Sequence, residues 1–352
     1  MNHFKPHTGC AFEGYYAKFR LPSGAHLALI ISTVHHARER PYMVSITYVP
    51  KDSRSHWQRE YWPDLIEYIV TGRDSFEMRV PGIGCVKCSG EDESFDLVTD
   101  EFTFHAQTVP DTRQPWLEHD RTSTPAGLLV HAPLPIQWHV HTLSTDLTFS
   151  LALVSQAAQE PALHGSDSLG SCTVHHEKNW ARSFPAKYIW VQAWDPDRGR
   201  GLCIAGGEAL PGVEAYLMTY TLRRDRPAGP SSSQQPTITL TPPWTFGVLG
   251  YSPFCRTRHE YRHGRLSIDV RTWFTRLEVC SVAPKETFFR LSAPLPEGHR
   301  PNFACESFAA THTVTVHRRT WPWQPWQVTS TDRFEHGSLE FGGGYYDDAK
   351  QD

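Results

Sequence analysis

The chain has 352 residues, which indicates two domains or one large β architecture and excludes a small disulfide-stapled scaffold. Its 34 Lys and Arg residues stand against 38 Asp and Glu residues, a formal net charge of −4. The sequence therefore lacks the positive excess that binding to a phosphate backbone needs, and we expect no nucleic-acid partner.

Alternating or β-branched runs separated by turn residues recur along the chain, and each run predicts a β-strand. In chain order they are 12–19, 26–33, 43–49, 95–105, 138–141 with 147–154, 188–193, 201–205, 215–222, 265–272, 276–282, 311–316 and 338–341. Residues 64–71 fit a short helix and a strand about equally well. Since 27 Pro and 24 Gly leave little room for long helices, we predict an all-β protein with very little helix.

Two polar stretches, 156–170 and 223–235, interrupt the predicted strands. Runs on both sides of the first stretch are numerous enough to form a barrel each. We therefore predict an N-terminal domain at 1–165 and a C-terminal domain at 166–352, with 223–235 as a long surface loop.

Targeting signals and cysteine usage point to the same compartment. No apolar run reaches the ~18 residues of a membrane-spanning helix, so no membrane span is expected. The first twenty residues lack the apolar core of a secretory signal, which predicts an intracellular, cytoplasmic protein. The eight cysteines are scattered, and we expect reduced thiols.

Histidine is over-represented, with 20 residues, and the pairs His139/His141 and His175/His176 are the most suggestive. A metal site would need a further ligand motif, and the chain has only one CxxC, at Cys85 and Cys88, which is half of a paired motif. Neither a G-x-S-x-G elbow nor a complete phosphate-binding glycine loop occurs. We predict no metal and no organic cofactor.

The most informative segment is 175–192, His-His-Glu-Lys-Asn-Trp-Ala-Arg-Ser-Phe-Pro-Ala-Lys-Tyr-Ile-Trp-Val-Gln. It resembles the motif of the tocopherol cyclase family, in which an acid, Lys, Asn or Asp, and Trp precede Phe-Pro and an aromatic strand. The blocks 12–16, Phe-Glu-Gly-Tyr-Tyr, and 134–141, Leu-Pro-Ile-Gln-Trp-His-Val-His, are similar to two further blocks of that family in the same order.

The resemblance implies two lipocalin-like, calycin-type antiparallel β-barrel domains. It also implies a cofactor-independent cyclase that closes a pyran- or chroman-type ring on an apolar aromatic, prenylated or polyketide-derived substrate. Related two-barrel proteins include fungal pericyclases that accelerate Diels-Alder steps. Tyr15 stands where the family usually has Trp, and Ala181 where it usually has Gly, so we expect a different pocket shape.

The residue types suit this chemistry, because ring closure needs a proton donor and a proton acceptor in a dry aromatic pocket. We predict Glu177 as the donor and His139, His141 or His176 as further catalytic groups. The predicted substrate-binding residues are Tyr16, Trp138, Trp180, Trp190, Gln192 and Lys178.

Alternatives remain open at this stage. Glu177 could form a structural ion pair with Lys178 and Arg182, and the tryptophans could be core residues. At the level of function, the alternatives are a pericyclase or hetero-Diels-Alderase of natural-product biosynthesis and a non-catalytic carrier of apolar molecules. The sequence does not fix the oligomeric state.

Overall fold

The computed structural model describes residues 3–117, 120, 123–127, 136–155, 157–222 and 237–350. The predicted surface loop at 223–235 lies outside these residues, as do residues 134 and 135 of the second motif block.

The described chain is almost entirely β, which confirms the predicted fold class. It forms two curled antiparallel sheets of eleven strands each. Its helical elements are short 3-10 turns at Gly165–Asp167, Tyr261–His263, Lys285–Thr287 and Asp347–Lys350. No described helix is both long enough and apolar enough to cross a membrane.

The first sheet is built from the N-terminal half of the chain. Its strands are β1 (Phe12–Arg20), β2 (His26–Val34), β3 (Tyr42–Val49), β4 (Trp57–Tyr61), β5 (Glu67–Gly72), β6 (Ser75–Val80), β7 (Gly84–Ser89), β8 (Asp92–Val98), β9 (Phe102–Thr108), β10 (Ile136–Leu153) and β11 (Leu169–Ala181). Their order in the sheet is β4-β3-β2-β1-β11-β10-β9-β8-β7-β6-β5.

The curl of this sheet encloses an aromatic core. Phe19 of β1 packs edge to face on Phe95 of β8 and Phe104 of β9, at centroid distances of 5.1 and 4.9 Å. On the same concave side, the hydroxyls of Thr33 and Tyr68 lie 2.9 Å apart, which links β2 to the edge strand β5. The alternation of each strand places its apolar side chains on this face.

The second sheet is built from the C-terminal half. Its strands are β12 (Lys187–Asp195), β13 (Arg200–Leu210), β14 (Val213–Leu222), β15 (Ile238–Leu240), β16 (Phe246–Val248), β17 (Cys255–Glu260), β18 (Arg265–Arg271), β19 (Thr275–Val282), β20 (Phe289–Leu295), β21 (Gly298–Arg318) and β22 (Gln327–Gly343). The main order is β15-β14-β13-β12-β22-β21-β19-β18-β17, with β16 beside β14 and β20 beside β21.

The chain divides into two compact units, Met1–Phe184 with Ala293–Arg300, and Pro185–Ser292 with Pro301–Asp352. The turn between β20 and β21 belongs to the first unit because His299 bonds the Arg40 carbonyl through its backbone N–H and its Nδ1. Gly298 permits this approach, since a Cβ there would lie 1.7 Å from the Glu39 carbonyl oxygen. Residue 165 lies between β10 and β11, which are neighbours in the first sheet, and the domain boundary at 165 stays a prediction.

Two predicted elements differ from the observed ones. Residues 95–105 form two strands, β8 and β9, joined by a turn rather than one strand. The ambiguous segment 64–71 contributes strand β5 rather than a helix. Both results reflect tertiary pairing, which overrides local propensity in short segments.

Candidate functional site in the first unit

The alternation of β11 sorts the polar motif residues onto two faces of the first sheet. Val174, His176, Lys178 and Trp180 share a face, and Val174 belongs to the aromatic core. His175 and Glu177 lie on the opposite face. The concave interior therefore receives an imidazole, an ammonium group and an indole from one strand.

A bulge in β10 brings two more histidines to the interior. His139 is opposite Lys178, but the register shifts between Val140 and Thr142, so His141 is the extra residue. Both rings contact Phe4, His141 by stacking at 4.2 Å and His139 at 5.9 Å. The bulge thus keeps the two imidazoles on the same side as His176.

Glu93 of β8 supplies the carboxylate of this cluster. Its Oε1 lies 2.6 Å from Nδ1 of His176 and 3.9 Å from Nε2 of His141. All three side chains are buried, and Glu93 is only 3% exposed. A carboxylate and an imidazole at this distance share a short, charge-assisted hydrogen bond.

Burial keeps His139 and His141 neutral at physiological pH. Burial, aided by the positive charge of nearby groups such as Arg113, lowers the pKa of His139 to about 3 and that of His141 well below its usual value of 6.5. Nδ1 of His139 and Nε2 of His141 have no hydrogen-bond partner among the described residues. Two buried imidazoles therefore keep a ring nitrogen available to a bound molecule.

Lys178 is held in a second polar network on the same face. Its Nζ lies 2.7 Å from Oε2 of Glu13, 2.9 Å from the Tyr15 hydroxyl and 3.0 Å from Nδ1 of His7. Burial lowers the pKa of Lys178 to about 8, although the charge of Glu13 opposes this shift. Lys178 pairs with Glu13 and not with Glu177, because the side chains of Glu177 and Lys178 leave β11 in opposite directions. The alternative pair of Glu177 with Arg182 stays a prediction.

The N-terminal segment enters the interior beside these groups. Phe4 is fully buried, and the His7 ring stacks on Trp180 at 4.0 Å. The Tyr15 hydroxyl donates to the Phe4 carbonyl, and Nζ of Lys178 donates to the Lys5 carbonyl. The segment therefore covers the aromatic and cationic part of the cluster.

Three further predicted residues lie on the other face of the first sheet. Oε2 of Glu177 is 2.9 Å from Nε2 of His175, and both side chains are buried. Tyr16 lies opposite Glu177 in the β1–β11 register. Trp138 lies opposite Asn179 and packs edge to face on Trp116 at 5.5 Å. These residues are not brought together with His139, His141 and His176.

Trp190 and Gln192 belong to the second unit, on one face of β12. Trp190 is opposite Glu340 of β22, and Glu340 is opposite Glu306 of β21. The Tyr188 hydroxyl donates to Glu340 by passing over Gly342, where a Cβ would lie 1.9 Å from the Tyr188 ring. Oε1 of Gln192 is buried without a hydrogen-bond partner in the described part of the chain.

Sequence reasoning missed Glu93 and Phe4 as members of the interior cluster. The alternation Glu93, Phe95 and Leu97 was a signal for Glu93, since a strand that places Phe95 and Leu97 in the core also places Glu93 there. Phe4 carried no signal, because it precedes the first strand and no periodicity defines its position.

The interior contains residue types that zinc prefers, three histidines and a glutamate. Their observed hydrogen bond, from His176 to Glu93, already uses two of the atoms that a metal would need. No residues of the chain form a nucleotide-type phosphate loop. The absence of a metal and of an organic cofactor stays a prediction.

No protein-family model matches the chain, and no curated protein does. Solved structures do match it. CghA aligns with a TM-score of 0.56 and 10% identity over 94% of this chain and 87% of CghA, and CghA with Sch210972 aligns with a TM-score of 0.54 and 12% identity over 94% and 88%. Kievitone hydratase from Nectria haematococca aligns with a TM-score of 0.52 and 10% identity over 99% and 93%.

At these identities the likeness shows the fold alone. The chain therefore shares its β fold with CghA and kievitone hydratase, in agreement with the broad class that the sequence motifs predicted. The narrower resemblance to tocopherol cyclases stays a prediction.

Proposed function

We propose that the chain is a cofactor-independent cyclase that closes an oxygen-containing ring on an apolar, hydroxylated small molecule. The reaction takes place in the interior of the first unit, at the cluster of His139, His141, His176 and Glu93. The observation that carries the proposal is the pair of buried, neutral imidazoles at His139 and His141, each with an available ring nitrogen.

The proposed reaction is an isomerisation that adds a hydroxyl group across a carbon–carbon double bond. The Glu93–His176 pair delivers a proton to one alkene carbon, and the substrate hydroxyl oxygen bonds to the other carbon. His139 or His141 accepts the hydroxyl proton, so one proton enters and one leaves. Atoms and charge balance without an oxidant or a reductant.

Kievitone hydratase supports this proposal through the type of reaction that its name describes, and not through its sequence identity of 10%. A hydratase adds water across a double bond, and this begins with the same protonation of carbon. Capture of the cation by water gives an alcohol, whereas capture by a hydroxyl of the same molecule gives a ring. A water-excluding interior favours the second outcome.

The buried ionisable groups also argue against a simple carrier. A carrier of apolar molecules has no need of acids and bases beside its ligand, and burying them without partners costs free energy. A pericyclase differs in another way, because it lowers its barrier by shape and hydrogen bonds without protonating carbon.

The test uses a panel of ortho-prenylated phenols, incubated with the protein in D₂O and analysed by mass spectrometry. A cyclase gives an isomer that carries one deuterium on carbon, whereas a pericyclase gives an isomer without it. A hydratase gives a product heavier by one heavy-water molecule. A protein that binds these phenols without converting any of them would overturn the proposal in favour of a carrier.

Variants then locate the reaction. His139→Gln with His141→Gln removes the acceptors, and we expect a rate at least ~100-fold lower. The matched control is His105→Gln, a 48% exposed histidine on β9. Full activity in the double variant would exclude the interior cluster as the site.

A further inference from the structure

The inference concerns a surface of the second unit and does not depend on the proposed reaction. Four loops meet at one end of the second sheet, at residues 241–245, 249–254, 272–274 and 319–326. Their aromatic side chains form what we call the aromatic rim. The rim consists of Trp244, Phe254, Trp273, Phe274, Trp321 and Trp323.

The rim leaves an unusual amount of aromatic surface exposed. Trp323 is 78% exposed, Trp273 55% and Trp321 53%, and Phe274 is half exposed. Single exposed apolar residues are common, but clusters of large aromatics at one place mark an interaction site.

Internal contacts hold the rim in a fixed arrangement. The rings of Trp321 and Trp323 stack at 5.3 Å, and the turn between them is closed by hydrogen bonds in both directions between Trp321 and Gln324. The backbone N–H of Arg319 donates to the Phe274 carbonyl, and its Nε donates to the Trp273 carbonyl. These hydrogen bonds therefore fix the positions of the loops that carry the indole rings.

The other loops of the rim are held together by contacts between their aromatic rings. Trp273 contacts Trp244 at 6.0 Å and Phe254 at 6.3 Å, and the last two rings lie 4.9 Å apart edge to face. All four loops therefore contribute to one continuous surface.

The charges of these loops have one sign. Segments 241–254 and 272–275 contain no charged residue, and segment 317–327 contains Arg318 and Arg319 but no carboxylate. The Arg319 guanidinium lies over the Trp326 ring at 4.0 Å. A carboxylate that borders these loops, Glu278 of β19, is paired with His317 at 2.7 Å. An aromatic surface whose own loops carry cations and no carboxylate complements a lipid interface, in which an apolar layer lies beneath anionic headgroups.

We propose that the aromatic rim docks the second unit onto the headgroup layer of an anionic lipid bilayer. Indole rings favour this layer, because their apolar body enters the acyl boundary while their N–H stays hydrated. The arginines attract anionic headgroups within a Debye length of the surface. The contact is peripheral and needs no membrane-spanning segment.

The experiment is cosedimentation of the full chain with vesicles of phosphatidylcholine containing phosphatidylserine, and with vesicles of phosphatidylcholine alone. We expect the wild type to bind the anionic vesicles more strongly. Trp321→Ser with Trp323→Ser should lower the partition coefficient roughly tenfold or more, because two exposed indoles no longer insert. Arg319→Gln should reduce the preference for anionic vesicles.

The matched control is Leu169→Ser with Leu210→Ser, which removes two exposed apolar side chains outside the rim and its loops, 72% and 59% exposed. This variant should bind like the wild type. Quenching of tryptophan fluorescence by brominated phosphatidylcholine gives an independent measure of insertion, and thermal unfolding confirms that each variant is folded.

Three results would overturn the proposal. Wild-type protein that stays in solution with both vesicle types excludes a bilayer partner, as does equal loss of binding in the leucine control. A wild-type dimer in solution that becomes monomeric in the tryptophan variant would instead assign the rim to a second copy of the chain.

Discussion

The Glu13–Lys178 ion pair is the most deeply buried charge pair of the first unit, with both side-chain charges inaccessible to solvent. Burial alone would raise the pKa of Glu13, but the His35 imidazole at 3.5 Å and the hydrogen-bonded Lys178 ammonium outweigh it and lower this pKa to about 2. Because this pKa is below the value in the unfolded chain, the carboxylate stabilises the fold above about pH 4.5. That contribution is lost as the pH falls towards 2.

Glu13→Gln should destabilise the protein by about 3 to 5 kcal/mol at pH 7, because it leaves the Lys178 ammonium buried without its counter-charge. The difference in unfolding free energy between the wild type and the variant should shrink as the pH rises above 8, because Lys178 then loses its proton more readily. Urea unfolding at pH 7 and pH 9 measures both effects. Glu77→Gln breaks the half-exposed pair with Arg79 and serves as the control. A deficit independent of pH would contradict the assignment to Lys178.

Buried neutral histidines predict a second loss of stability on acidification, in a higher pH range than the loss that Glu13 predicts. Burial lowers the pKa of His7 and His299 to about 4 and that of His139 to about 3. Between these values and 6.5 the unfolded chain binds more protons than the folded one. Stability therefore falls as the pH falls through 6.5.

Each such histidine should make the unfolding free energy fall by up to about 1.4 kcal/mol for each pH unit below pH 6. Replacing His139 with Gln should remove one such contribution from the dependence of the unfolding free energy on pH between 7 and 5. The exposed His105→Gln variant should keep the wild-type slope. An unchanged slope in the His139 variant would mean that this residue is accessible to protons in the folded state.

At the scale of elements, β11 shows why the site was only partly predictable. Its alternation predicts that His175 and His176 point apart, and this is what the register shows. The strand itself was not predicted from periodicity, because four consecutive polar residues at 175–178 are buried on both faces and hide the apolar pattern. The bulge at His141 depends on pairing with β11, so β10 alone could not reveal it.

The two faces of β11 provide a direct comparison of proton donors. Glu177 is the predicted donor and lies beside His175, whereas Glu93 lies beside His176 in the interior. If the reaction occurs in the interior, Glu93→Gln should lower the single-turnover rate at least ~100-fold, and Glu177→Gln should leave it near wild type. The opposite result would move the reaction to Glu177. Thermal unfolding of both variants separates a chemical effect from loss of structure.

The N-terminal segment predicts how a substrate reaches the interior. Phe4 stacks on the face of the His141 ring, so we expect a substrate that packs on this face to take the place of Phe4. Phe4→Ala should lower KM for an apolar phenol and cost stability by up to about 5 kcal/mol, because the ring is fully buried. Phe12→Ala, which removes an equally buried ring outside the cluster, should cost stability without lowering KM. A raised KM in the Phe4 variant would show that the ring supports the site.

At the scale of the whole molecule, the all-β class followed from the sequence because alternating runs and turn residues are local signals. Strands such as β4, β6 and β7 were missed, since they are short and carry charged residues at their outward positions. The gathering of His139, His176 and Glu93 from three strands could not be predicted, because it depends on sheet order rather than on spacing along the chain.

Cofactor independence is a property of the whole molecule and can be tested on the intact protein. The sequence has a single CxxC and no complete phosphate loop. Its one H-E-x-x-H spacing, at residues 259–263, begins in strand β17 and ends in a 3-10 turn, so the two histidines do not share the helix face that this zinc motif needs. In the interior cluster, Nδ1 of His176 and Oε1 of Glu93 are joined at 2.6 Å, and a metal would have to break this bond. We therefore expect ring closure to survive exhaustive dialysis against EDTA with an unchanged rate. If chelation abolishes turnover and added Zn²⁺ restores it, the histidines are ligands, and His139→Gln should then lower zinc content as well as rate.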